Sequence, residues 1–221
     1  MSIAFPHDRA NDVTKMASRT KIALDMRKSK ESKIIHYLGG QNPSTPFENH
    51  FSIKRNTFVR YERENCPIPN NYTQAEWKGD NLIERKEGHF GYFVNSNFYE
   101  EGCEFMKVFR NENQYFWLDF CGMPKEEDVE QLYYTFFYDQ DEYGSNIKSI
   151  YCTFFTNSRG QKYSSNLFTR YGSSLDDRAK SLCESLTEEL ELDKTRYKCE
   201  VFDRYFNGKA SPMAVLKFSV K

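Results

Sequence analysis

The sequence has no apolar run approaching the roughly 20 residues that a membrane-crossing helix needs. Its first residues, Met-Ser-Ile-Ala-Phe-Pro and then His7, Asp8 and Arg9, contain no apolar stretch of the kind that marks a secretory leader. These two absences predict an intracellular, cytoplasmic protein with no membrane partner. The six cysteines (Cys66, Cys103, Cys121, Cys152, Cys183 and Cys199) are at least 16 residues apart, so no Cys-x-x-Cys pair exists to build a zinc knuckle. In a reducing compartment they are expected to serve as small buried hydrophobes.

The common catalytic signatures are missing as well. There is no Walker loop, no Gly-x-Ser-x-Gly elbow and no Gly-rich dinucleotide turn. Gly39-Gly40 and Gly88-His89-Phe90-Gly91 are too sparse to cradle phosphate. The four histidines, His7, His36, His50 and His89, have no partner at metal-ligand spacing. No cofactor and no bound metal are expected, and the balance leans away from an enzyme.

What the chain does have is rings. Its 19 Phe, 15 Tyr and 2 Trp make up 16% of 221 residues, although the mean hydropathy is only -0.80. Each ring buries a large area, so few are needed to form a core. A folded protein with a small ring-rich interior and a very polar surface is expected. Its composition resembles that of accessory proteins of phages and mobile elements.

The net charge of -1 hides a division. Residues 1–60 carry 11 Lys or Arg against 5 Asp or Glu, whereas residues 61–221 carry 20 against 27. Such asymmetry points to an anionic partner for the basic end. The candidate partner-binding residues are Arg9, Lys15, Arg19, Lys21, Arg27, Lys28, Lys30 and Lys33.

The expected organisation is α+β: antiparallel meanders and hairpins packed by one or two helices, preceded by a basic helical arm. Residues 1–40 form the arm, 41–71 a linker with a possible strand, and 72–221 the acidic, aromatic-rich domain. Within the arm, Ala10, Val13, Ala17, Thr20 and Leu24 recur at helical spacing over residues 8–28. A second short helix is expected from Ser32 to Leu38, ended by Gly39-Gly40. Both stripes are thin, and short helices are marginal without packing, so the arm is expected to gain structure only on a partner.

In the domain, residues 89–121 read as a three-stranded antiparallel meander, with Phe105 to Phe109 as its middle strand. Residues 124–138 read narrowly as a helix. Ile147 to Thr156 reads as a strand with Gln161 to Tyr171 pairing back. Ser174-Leu175-Asp176-Asp177 resembles a capping box ahead of a helix to Leu192. Thr195 to Phe206 and Met213 to Val220 form a closing hairpin around Asn207-Gly208.

These features favour a non-enzymatic interaction protein, such as a virion, scaffold or assembly factor, whose arm docks on an acidic protein surface or a neighbouring copy. A first alternative is a nucleic-acid-binding protein using the arm on phosphates. A second is a metal-dependent nuclease or nucleotidyl transferase at Asp139 and Asp141, since Asp-x-Asp after a strand can hold a divalent ion. Asp80 with Glu84 and Lys86 is a weaker candidate of the same kind. Ordinary polar turns are the more economical account of both.

Overall fold

The computed structural model describes residues 13–38, 47–62 except 53, parts of 68–82, 90–94, 104–133 with short gaps, 146–156, 174–207 and 211–221. The first element is helix α1, Val13–Met26. Strand β1 (Lys33–Leu38) follows, then a short 3-10 turn (Phe47–His50) and strand β2 (Asn56–Tyr61). Short strands β3 (Tyr72–Gln74), β4 (Trp77–Lys78) and β5 (Asn81–Leu82) lead to β6 (Gly91–Val94). Helix α2 covers 104–108. Then come β7 (Gln114–Asp119), α3 (Glu126–Leu132), β8 (Ile147–Phe155), α4 (Leu175–Glu189), β9 (Tyr197–Asn207) and β10 (Ser211–Val220).

Eight strands form one mixed sheet in the order β3-β6-β2-β1-β7-β8-β10-β9, and β4 and β5 pair separately. The β3, β6, β2, β1, β7 and β8 neighbours are all parallel. Only β10 runs against its neighbours β8 and β9. Fully parallel strands are covered on both faces and so read as continuous apolar runs instead of alternating ones. β7 shows this directly: all six of its residues are buried.

Alternate side chains of each strand supply two cores. On one face Ile22, Ala23 and Met26 of α1, with Phe47, pack on Ile35, Tyr37, Phe58, Phe93, Trp117 and Val215. On the other, Phe105, Phe109, Val129, Leu132, Leu182 and Leu186 pack on Ile34, Val59, Phe116, Leu118, Ile150 and Leu216. The result is a helix–sheet–helix sandwich.

Several expectations are corrected. Ser32 to Leu38 is not a helix: Lys33–Leu38 is an inner strand with five of its six residues buried. Its Ile34-Ile35-His36-Tyr37 run is β-branched and aromatic, as a doubly covered strand requires. Residues 89–121 are not an antiparallel meander, since β6 and β7 lie three positions apart and pair in parallel with other strands. Phe105 to Phe109 was expected as the meander's middle strand, but residues 104–108 are helical, and Phe105 and Phe109 fall on one face at i, i+4.

Helix α1 was expected to bury Val13 and Leu24, but these are 79% and 52% exposed, while Lys15, Ser18, Arg19, Ile22, Ala23 and Met26 face inward. Helices packed on a sheet, the helix over 126–132, strand β8, the closing β9–β10 pairing and the Ser174 capping box agree with the reading from sequence. The expected α+β arrangement of antiparallel meanders and hairpins does not, because five of the seven pairings in the eight-stranded sheet are parallel. The expected strand at 161–171, Gly208, and residues 1–12 of the arm lie outside the described residues.

One glycine is indispensable to the sheet. Gly91 begins β6 at φ +146°, a conformation that L side chains rarely adopt. A Cβ there would lie 2.1 Å from the Phe58 carbonyl oxygen of β2.

Candidate functional site at the carboxyl edge of the sheet

From β1 the chain winds outward through β2 to β6, then returns to the other side of β1 as β7 and continues to β8. The winding therefore reverses between β1 and β7. In open α/β sheets, ligands bind in the crevice outside the carboxyl ends of the strands at such a reversal. Here those ends are Leu38 on β1 and Asp119 on β7, flanked by Tyr61 and Glu62 at the end of β2.

A buried charge cluster occupies this edge. Lys15 Nζ lies 2.8 Å from Asp119 Oδ2, and Arg19 Nη2 lies 3.7 Å from the same oxygen. All three side chains are at most 10% exposed. The Arg19 guanidinium also sits 5.2 Å from the centre of the Trp117 ring, a cation–π contact. Trp117 is fixed in turn by a near-parallel stack on Tyr37 and by donating to Thr153 Oγ1 at 3.3 Å. Two cations against one carboxylate leave a formal surplus of positive charge. Arg19 Nε is buried there with no hydrogen-bond partner among the described residues, an arrangement that is costly unless water or another polar group completes it.

Beside this cluster lies a second buried polar group. Glu48, 1% exposed, accepts from the hydroxyls of both Tyr37 and Tyr72 through Oε1, and those hydroxyls are 2.7 Å apart. Burial and the nearby Glu48 push both phenols well above their ordinary range. Arg60 donates from Nε and Nη2 to Glu62 Oε1 at 3.0 and 2.8 Å, and its guanidinium lies over the Tyr37 and Phe93 rings. Burial opposes the charge on Arg60, but Tyr37 and Glu62 outweigh it and raise its pKa.

His36 is buried on the opposite face and is a structural residue. Gln114 Nε2 donates to the carbonyls of Met106 and Phe109, leaving Oε1 to accept from His36 Nε2 at 3.0 Å. Nδ1 then accepts from the Tyr61 hydroxyl at 3.0 Å, and the ring stacks on Phe116. Burial holds the imidazole down to about 3, only partly offset by Gln114, so it is neutral at physiological pH.

The residues singled out in the sequence are dispersed. Lys15 and Arg19 enter the carboxyl-edge cluster. Lys21 pairs with Asp203 on β9 at 2.6 Å while remaining 59% exposed. Lys28 pairs with Asp25 at 2.6 Å and is 81% exposed. Lys33 is 4% exposed and donates to the carbonyls of Ser29 and Glu31. Arg27 and Lys30 lie in and after the turn that ends α1. Arg9, Asp139, Asp141, Asp80, Glu84 and Lys86 lie outside the described residues.

Asp119, Glu62 and Glu48 went unnoticed in the sequence. Asp119 closes the aromatic and apolar run Tyr115 to Leu118, and Glu62 follows the strand Asn56–Tyr61. An acidic residue at the carboxyl end of a buried strand was the available signal.

Among the described residues no three His, Cys, Asp or Glu side chains are grouped to hold a metal ion, and no helix is long and apolar enough to cross a membrane. No family model matches the chain, and no curated protein matches it. Among solved structures the chain is similar to the antibiotic-resistance methyltransferase Kmr, at 9% identity and a TM-score of 0.38, over 91% of this chain and 93% of that one. A likeness of that degree carries no argument about activity.

Proposed function

We propose that this protein binds a nucleoside-type small molecule at the carboxyl edge of its sheet, between β1 and β7. The observation that carries the reading is the reversal of winding at those two strands. Glu62 supports it. It ends β2 about 20 residues beyond Gly39-Gly40, where doubly wound domains place the acid that accepts from ribose hydroxyls. The sequence that follows β1 reads Gly39-Gly40-Gln41-Asn42 and lacks the glycine spacing that receives a pyrophosphate. A ribose-bearing ligand without a pyrophosphate fits that pair of features. Arg19 and Lys15 favour a negatively charged group, such as a carboxylate, on the same ligand.

Thermal unfolding with S-adenosylmethionine, S-adenosylhomocysteine, adenosine, NAD and ATP tests this. An adenosine ligand without pyrophosphate should raise Tm, and Glu62→Gln should reduce that rise. Failure of all five to move Tm at millimolar concentration would overturn the reading.

A second reading, of an assembly protein, rests on the outward face of α1. Val13 and Leu24 are exposed there, with Lys21 on the helix and Lys28 in the turn after it on the solvent side of their ion pairs. That face fits an acidic, partly apolar protein surface. The triple variant Lys21→Glu, Leu24→Glu, Lys28→Glu leaves the buried face of α1 intact. Light scattering should show a self-assembly or co-sedimenting complex that this variant loses. A wild-type protein that stays monomeric and partnerless would remove the reading.

A further inference from the structure

Cys183 on α4 and Cys199 on β9 bring their sulfurs to 3.0 Å. The two residues belong to elements that pack on each other around the same core, in which Cys183 is 9% exposed and Cys199 partly exposed. Cys152, the other cysteine among those described as free thiols, is fully buried within β8. Closing the Cys183–Cys199 gap to bonding distance needs a contraction of about 1 Å.

We propose that Cys183 and Cys199 form a reversible intramolecular disulfide, making this pair a redox modification site that pins α4 to the edge strand β9. The local chemistry suits thiol–disulfide exchange. The thiol of Cys199 donates to Cys183, which favours the Cys183 thiolate, while the same contact and burial raise the Cys199 thiol. With the sulfurs 3.0 Å apart, one can attack a disulfide and the other resolve the product.

The oxidant is a low-molecular-weight disulfide such as oxidised glutathione. One sulfur, as thiolate, attacks a glutathione sulfur. The glutathione S–S bond breaks, and the first glutathione leaves as a thiolate that takes up a proton. The second cysteine loses its proton to solvent and attacks the sulfur of its neighbour, expelling the second glutathione. Two protein thiols and one oxidised glutathione become one protein disulfide and two reduced glutathiones. Excess reduced glutathione or dithiothreitol runs the exchange backwards.

The test uses the full chain, folded, with millimolar oxidised glutathione, followed by thiol counting after unfolding and by tryptic mapping under non-reducing conditions. Trypsin separates the two cysteines into segments 181–194 and 199–204, each with one cysteine. The expected result is the loss of two of the six thiols and a linked 181–194/199–204 pair. Cys183→Ser and Cys199→Ser should each abolish that pair, and dithiothreitol should restore all six thiols. Six thiols persisting in oxidised glutathione, or a bridge mapped to any other cysteines, would overturn the proposal. Because the wild-type map decides by itself, a variant that fails to fold leaves the test intact.

Discussion

Lys15 on the first helix and Asp119 at the end of β7 are held 2.8 Å apart in a place where neither is more than a tenth exposed. Breaking a buried pair is expensive because the surviving charge remains buried. Asp119→Ala strands both Lys15 and Arg19 and is expected to cost about 3–5 kcal/mol. Lys15→Met leaves Arg19 opposite Asp119 and should cost clearly less. Urea unfolding of both variants checks the order, and an Asp119→Ala loss equal to or below that of Lys15→Met would contradict it.

His36 makes stability depend on pH. Its folded-state value of about 3 lies below the ordinary 6.5, so the unfolded chain binds the extra proton between those limits. Its contribution is complete above pH 6.5 and is lost progressively as pH falls toward 3. The expected slope in the middle of that window is about 1.4 kcal/mol per pH unit. Chemical denaturation from pH 7 to 4 measures it. His36→Gln should flatten the slope even while lowering stability at pH 7; an unchanged slope would count against this account.

Gly91→Ala places a methyl group against the Phe58 carbonyl and forces an L residue to positive φ. Strain and overpacking together are expected to cost about 3 kcal/mol. Calorimetry should show a lower Tm. A variant within experimental error of wild type would mean that β2 and β6 can separate without penalty.

Ser174 caps α4 by accepting from the Asp177 amide at 3.1 Å, and the Asp177 carboxylate returns a bond to the Ser174 amide. Ser174→Ala is expected to cost about 1 kcal/mol, whereas Ser174→Thr should be close to neutral. Thermal melts of the two variants separate a capping role from a merely tolerated serine.

Elements with local signatures were legible in the sequence. The Ser174 box, the apolar face of α4 and the β9–β10 pairing depend on neighbours within a few tens of residues. β1 was not legible as a strand, because five of its six residues are buried and the burial does not alternate. Phe105 to Phe109 was read as a strand for a related reason: the stretch Phe-Met-Lys-Val-Phe is short enough that its two rings fit either period. The candidate site was hidden for a third reason. Lys15 and Asp119 are distant in the chain and meet, and Glu62 reaches the same edge, only because of the strand order, which no local pattern encodes. The charge asymmetry was real, but part of it is spent within the chain: Lys15 and Arg19 meet Asp119, and Lys21 meets Asp203.

The antiparallel strand β10 lies between β8 and β9 and is bonded along most of its length to both. A growing polypeptide that has emitted β9 but not residues 211–220 therefore exposes two unsatisfied backbone ladders, one on β8 and one on β9. If the hairpin zips first, the β8–β10 ladder closes last and the two strands dock on β8 as a unit; if β10 docks first, the edge strand β9 closes last. The ten residues of β10 are therefore what joins the edge strand β9 to the rest of the sheet, and their removal would leave β9 with no strand partner among the described residues.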